Sequence, residues 1–419
     1  MIPERSEAMM RSSFGKTRYR YASVPSPSFG PDRFGVYVHV PFCLTKCNFC
    51  PFYKEIYTER MKKLYLNAII KEIRETEMSG KASWVYFGGG TPNTLNPSEL
   101  GSILDAILTK ADADSPGVEL LPALASDEYL RKLKAEGFTK ISIGVESFSP
   151  RVLGNTGRKL RGPEHTESLI KVARELGLFV NADMMIGLPN QDSHIFLQDI
   201  AKIVSLSPSQ VTIYPFMVIR GMKGKPSMTS RHQFQLIERA GQILCNYGYE
   251  RKAIWTFALS DDVYDSSRDE LVEDYAGFGP AAFSTYDSWK VVNPELDVYL
   301  DNAIHDTWRG FVAEKSKSTD DWRRFARMIY DLRLEDSGQL PLGIRLYVSL
   351  LRALRYGEGG RLTPKGTMFA HRISKTVVES LPFPVQNPDC VLNHDEYVDN
   401  KQRARTSLEE TPEAVQAVA

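Results

Sequence analysis

Between residues 34 and 246 two hydrophobic patterns alternate along the chain. Short apolar runs rich in β-branched and aromatic residues read as strands, and longer segments with apolar residues three and four apart read as helices. The first strand is predicted at about 35–40 and a helix at about 57–78, where Met61, Leu64, Tyr65, Ala68, Ile69 and Ile73 share one face. Further strands are predicted at 84–87, 118–120, 140–145, 178–183 and 210–214, with helices at 97–110, 126–136, 163–176 and 192–205 between them. Six strands, each followed by a loop or helix, imply right-handed crossovers and a parallel sheet. The repeat length fits a full or partial βα barrel, in which loops at the C-terminal strand ends carry the chemistry.

The pattern changes after residue 228. A helix at 228–246 leads to a glycine-rich turn, Asp274 to Phe283, and helices dominate from 318 to 385. The expected organisation is an N-terminal extension over 1–33 and a βα barrel over 34–250. A smaller, mostly helical domain over 251–385 would cover the site, and 386–419 would be a disordered polar tail. Lys plus Arg and Asp plus Glu both number 52, so no net basic field points to a nucleic-acid partner. Five cysteines in 419 residues make no disulfide framework. No apolar run spans a membrane and no secretory signal is visible, so the expected location is the cytoplasm.

Three of the five cysteines, Cys43, Cys47 and Cys50, sit in one loop after the first strand. This CxxxCxxC spacing suits a 4Fe–4S cluster held by three thiolates, with one iron left open for a small molecule. Zinc would need a fourth ligand, and nearby only His39 offers one, inside the strand pattern. Cys245 and Cys390 stand apart and are expected to be inert. Polar and glycine motifs fall at the same strand ends as the cysteines: Gly88 to Thr91, Glu119, Glu146 and Asp183.

From Cys43 onward the chain resembles the radical S-adenosylmethionine superfamily. YVHVPFC, FGGGTPNTL, the Glu119 segment, SIGVESF, NADMMIGLP and YAGFGPAAF occur in an order that resembles the oxygen-independent coproporphyrinogen III oxidase subfamily, over residues 34–385. The resemblance implies an α/β fold, a partial (β/α)6 barrel with a mostly helical C-terminal domain. It implies that the open iron binds S-adenosylmethionine and that the reduced cluster cleaves it to methionine and a 5′-deoxyadenosyl radical. A second S-adenosylmethionine is expected beside the first. By motif, Tyr37, Gly89, Gly90, Thr91 and Glu119 would serve the first molecule, the glycines and Thr91 as a backbone nest for its carboxylate. Phe49, Gly90, Thr91, Glu146, Arg158 and Asp183 would serve the second, with Arg158 on its carboxylate.

Two departures steer the expectation within the family. The oxidases carry a further cysteine where this chain has Phe52, and the haem chaperones carry a histidine motif absent from residues 253–259. What remains resembles the class C radical methyltransferases. They methylate an sp2 carbon of a planar aromatic substrate, here a quinone such as menaquinone or a tetrapyrrole. The alternatives are a porphyrinogen oxidative decarboxylase and a haem chaperone. The implied partners are that small planar substrate, an electron donor such as flavodoxin or ferredoxin, and the membrane periphery if the substrate is a lipid quinone. No catalytic base is assigned. Tyr264, Tyr275 and Tyr286 flank the Gly277–Gly279 turn, either lining a pocket or packing, and Arg220, Lys223 and Lys225 form a basic loop.

Overall fold

A computed structural model describes residues 2–30, 33–218, 224–264, 274–335 and 340–410. Arg220 and Lys223 of the basic loop lie outside the described residues. The six expected strands are β1 (Phe34–Val40), β2 (Lys81–Gly89), β3 (Gly117–Leu120), β4 (Lys140–Glu146), β5 (Phe179–Ile186) and β6 (Gln210–Pro215). Neighbours pair in sequence order and every pairing is parallel. Helices α1 (Glu59–Glu75), α2 (Pro97–Leu108), α3 (Asp127–Ala135), α4 (Pro163–Glu175) and α5 (Ser193–Leu206) alternate with the strands from β1 to β6, and α6 (Ser230–Asn246) follows β6. Sequential order without reversal is the signature of a βα barrel rather than a doubly wound sheet. The barrel is partial, because β6 pairs next with the antiparallel strand Thr256–Ala258 and not with β1.

The helices start where side chains satisfy their free N–H groups. Thr58 caps α1, Ser126 caps α3 and Asp192 caps α5, and Asn96 with Glu99 forms a reciprocal capping box on α2. Along β1, Val36, Val38 and Val40 are fully buried, and Tyr37 and His39 fall on the opposite, inner face. Register stacks inner residues of neighbouring strands into rows. Glu119, Ser142, Asn181 and Gln210 lie side by side across β3 to β6, and Gly144, Asp183 and Thr212 form the next row towards the C-terminal ends.

The sheet does not stop at the barrel. Strand β7 (Asp274–Phe278) pairs parallel with β1 on its other side, with Gly277 opposite Tyr37. Antiparallel strands Phe283–Tyr286, Trp289–Val292 and Arg309–Glu314 continue it, and Arg20–Ser23 of the N-terminal extension closes the edge. The tail expected to be disordered over 386–419 instead carries a helix at His394–Glu410, which buries Tyr397 and Ala404 against Tyr21, Phe311 and Cys390. The C-terminal helices are Leu296–His305, Lys317–Tyr330, Leu342–Ala353 and Pro364–Glu379. The last is clasped to the barrel through His371. Its Nδ1 accepts from Trp255 Nε1 at 3.1 Å and its Nε2 donates to Glu238 at 2.7 Å, with the ring stacked on Phe234.

Candidate functional site

The cysteine loop leaves the top of β1. Phe42 is fully buried against Tyr57 and Tyr65, and Lys54 Nζ donates to the carbonyls of Cys50 and Phe52, which tightens the return. The loop tip is held by Asn48, whose backbone N–H and side-chain amide donate to Thr156 and Asn155. Phe49 is buried among Val152, Leu153, Leu188 and Phe216, with Cys47 and Cys50 packed at the edge. Cys43 is buried and its sulfur lies 3.3 Å from the Thr91 hydroxyl.

Among the described residues no three His, Cys, Asp or Glu side chains are gathered as a metal ion would hold them. The three thiols nonetheless fit an iron–sulfur cluster by their chemistry. They are soft donors on one loop, each within electrostatic reach of another, and the Arg158 guanidinium beside them favours the thiolate. Burial pushes the Cys43 thiol up and the Cys47 thiol up to about 11, against that guanidinium. A cluster is therefore taken up with loss of thiol protons. His39 is no ligand. Burial lowers it to about 4, and both its nitrogens are engaged, Nδ1 with the Tyr37 hydroxyl at 3.2 Å and Nε2 with the Tyr53 carbonyl at 3.1 Å.

The glycine motif after β2 is shaped by crowding. A Cβ on Gly90 would stand 2.7 Å from the Pro41 carbonyl oxygen and 2.8 Å from that of Phe42. Gly89 adopts φ +113°, a region open mainly to glycine. The expected backbone nest is only partly available, because Gly90 N–H already donates to Val40 at 2.8 Å. The Gly89 N–H faces the Glu119 carboxylate and partly offsets the effect of burial on it. Tyr37 stacks over Tyr86, with ring centres 6.3 Å apart, and Tyr86 OH donates to Glu119 Oε1 at 2.5 Å.

Three carboxylates face the hollow beside this loop. Burial pushes Glu119 up to about 7, and the Glu146 charge adds to it. Asp183 is pushed up to about 8, first by burial and then by Glu146 and Glu119. Glu146 is raised by burial against the pull of Arg158. All three keep partial access to solvent, so the shifts reflect the depth of the hollow and not complete enclosure. Glu146 stands at φ +62° where the β4–β5 register slips, and this bulge turns its side chain to Arg158 Nη1 at 3.2 Å. Arg158 Nη2 also donates to the Gly144 carbonyl. Buried carboxyls that raise one another in this way favour a cation beside them.

The structure thus brings Tyr37, Gly89, Gly90, Thr91, Glu119, Glu146, Arg158 and Asp183 around the cysteine loop. It turns Phe49 into an apolar cluster that anchors the loop. Sequence reasoning missed Tyr86 and a polar chain on the barrel floor. Asn181 donates to Asp183 at 2.9 Å and to Ser142 at 2.7 Å, and Gln210 donates to Asn181 and to the Tyr264 carbonyl. The signal was present in the polar residues at alternate positions of apolar strands. A separate cleft of about 290 Å³, lined by Gly15, Arg18, Glu379 and Cys390 among others, contains none of these residues.

Residues 37–203 match the model of the Radical SAM superfamily. The chain is 27% identical over 263 residues to an oxygen-independent coproporphyrinogen III oxidase of Pseudomonas aeruginosa, covering 58% of this chain and 57% of that protein. The match thus spans little more than half of that relative's length. It is 26% identical to a haem chaperone of Lactococcus lactis, over 59% of this chain and 68% of the other. The solved coproporphyrinogen III oxidase of Escherichia coli superposes with a TM-score of 0.70 at 22% identity, covering 88% of this chain and 93% of that one, a likeness that carries the fold.

These relatives overturn the class C methyltransferase expectation, since they are named oxidases and a haem chaperone, not methyltransferases. The physical reason lies at Phe52. Its side chain is 54% exposed, so an aromatic residue there does not rebuild the hollow. Trp255, in the stretch compared with the chaperone motif, is spent on the clasp to His371. A 4Fe–4S cluster and S-adenosylmethionine are the cofactors. Residues 37–203 are a radical S-adenosylmethionine domain, and over a little more than half of its length the chain is similar to coproporphyrinogen III oxidases.

Proposed function

We propose that the protein oxidatively decarboxylates a propionate side chain of a porphyrinogen-type tetrapyrrole. The observation that carries this reading is the acidic hollow of Glu119, Glu146 and Asp183 beside three thiols, in a chain matched to coproporphyrinogen III oxidases. Cys43, Cys47 and Cys50 would hold the cluster, which with S-adenosylmethionine would supply the radical chemistry that takes one hydrogen atom from the substrate. The substrate then loses carbon dioxide, forms a vinyl group and passes one electron to an acceptor.

The residues of this chain position the reactants. Tyr37, Gly89, Gly90 and Thr91 would border the first S-adenosylmethionine, and Glu119 would accept from its ammonium or a ribose hydroxyl. Glu146, Arg158 and Asp183 would border a second molecule. The repulsion among the carboxylates supports a cationic occupant, and a sulfonium beside an ammonium meets that need. Phe49 acts through the loop it anchors. An electron donor such as flavodoxin or ferredoxin supplies the reducing electron, and the free thiols suit a reducing compartment, the cytoplasm.

A second reading, a haem-carrying protein, is favoured by the match to the Lactococcus lactis haem chaperone. One experiment separates the two. The protein is reconstituted anaerobically and given S-adenosylmethionine, a reductant, a one-electron acceptor and coproporphyrinogen III, and a parallel sample is given haem. 5′-Deoxyadenosine appearing with carbon dioxide supports decarboxylation. Stoichiometric haem binding without turnover supports the carrier and overturns the first reading.

A further inference from the structure

The helix Leu342–Ala353 buries Ile344, Val348 and Leu351 against the C-terminal core. Its other face carries a ladder at every fourth position: Leu342 is 68% exposed, Leu346 62%, Leu350 47% and Leu354 36%. Each step of four residues advances about 40° around the helix, so the four leucines cover a face about 120° wide. That is a broad apolar stripe, not the narrow seam of a coiled coil. Exposed leucines are ordinary singly, but four in one row on one helix are not. Arg352 and Arg355 are exposed at the same end of the helix, and no acidic residue occurs from Leu340 to Gly357.

Charge and area choose the occupant. The arginines sit at the C-terminal end of the helix and not within the leucine stripe, and with no acid between Leu340 and Gly357 that end suits an anionic surface. The leucine surface on offer equals about two fully exposed side chains. A stable protein interface needs roughly 800 Å² per partner, which this falls well short of. An interfacial helix needs less, because apolar insertion and attraction to anionic headgroups add together. The face is also a convex ridge with open space at Gly343, not a groove that would seat a partner's side chains.

We propose that the Leu342–Leu354 face docks the protein reversibly on an anionic lipid surface, as a peripheral contact that spans nothing. Among the described residues no helix is long and apolar enough to cross a membrane. This surface lies outside the hollow and owes nothing to the substrate, so it stands apart from the proposed reaction.

The test is flotation of the full chain with phosphatidylcholine vesicles and with vesicles of phosphatidylcholine and phosphatidylglycerol. The protein is expected to float with the anionic vesicles, less so as salt rises, and weakly with the neutral ones. Leu346→Gln with Leu350→Gln is expected to lower that partition at least about tenfold, and Arg352→Glu with Arg355→Glu to lower it while the leucines stay in place. All four positions are exposed, and an unchanged circular dichroism melt shows that the variants are folded. No flotation with anionic vesicles, or equal flotation of the leucine variant, overturns the proposal. A dimer in sedimentation velocity that the leucine variant abolishes overturns it too, in favour of self-association.

Discussion

Asp183 gives the sharpest test of the electrostatics of the hollow. Its carboxyl is raised from an ordinary 3.8 to about 8, first by burial and then by Glu146 and Glu119. A carboxyl raised in the folded state stabilises the fold most at low pH, and that benefit is lost as pH rises from 3.8 through about 8. Between pH 5 and pH 8 the full effect is about 4 kcal/mol, at about 1.4 kcal/mol per pH unit. Asp183 keeps some solvent access, so about 2 kcal/mol is the expected share. Asp183→Asn removes the charge and keeps an oxygen to accept from Asn181 Nδ2, while the Ser142 hydroxyl can turn to accept from the new amide. Urea unfolding of the cluster-free protein at pH 5 and pH 8 reads the result. The wild type is expected to lose stability over that range and the variant to lose about 2 kcal/mol less. The variant is also expected to bind S-adenosylmethionine more weakly, so stability and function move in opposite directions. Parallel pH dependences, or a variant less stable at pH 8, would refute the reasoning.

Three further outcomes follow from the geometry. Gly90→Ala forces a methyl against two backbone carbonyls, and about 1–3 kcal/mol of destabilisation is expected, with less iron bound per chain after reconstitution. Glu72→Ala removes the acceptor for Gly279 N–H at 2.9 Å, Asn293 Nδ2 at 2.7 Å and Tyr299 OH at 2.7 Å. Chemical denaturation should show a loss of about 3 kcal/mol, and a neutral result would mean that Glu72 does not tie the glycine turn to α1. Phe52→Cys, at an exposed site, is expected to change stability by less than about 0.5 kcal/mol and to leave 5′-deoxyadenosine formation unchanged.

The barrel was legible because its strands and helices announce themselves locally. The predicted strand at 140–145 is Lys140–Glu146, and the predicted helix at 163–176 is Pro163–Glu175. The order of site motifs along the chain was legible too, since strand ends in a βα barrel converge. What escaped depends on distance or exposure. Strand Arg20–Ser23 finds its partner at Arg309–Glu314, which no local pattern reveals. The helix His394–Glu410 was hidden by its polar composition, because among its described side chains only Tyr397, Ala404 and Leu408 are buried. Phe52 steered the methyltransferase expectation because sequence spacing does not say which way a side chain points, and this one is exposed. Arg158 was assigned to a ligand carboxylate, yet its guanidinium is engaged by Glu146 and Gly144, which only the bulge at the end of β4 explains.

The pairing of β7 with β1 bears on the timing of assembly. The strand that carries the cysteine loop is flanked by β2 on one side and by residues 274–278 on the other, more than two hundred positions further along the chain. During synthesis β1 can pair with β2 early, yet its second neighbour emerges only after the whole barrel has been made. Contacts of such long sequence separation form late. The loop therefore reaches its final setting after the chain has passed residue 278, and iron is best delivered to a nearly finished protein. A chain cut after α6 should expose one edge of β1 and hold its cysteines loosely, however complete its barrel sequence.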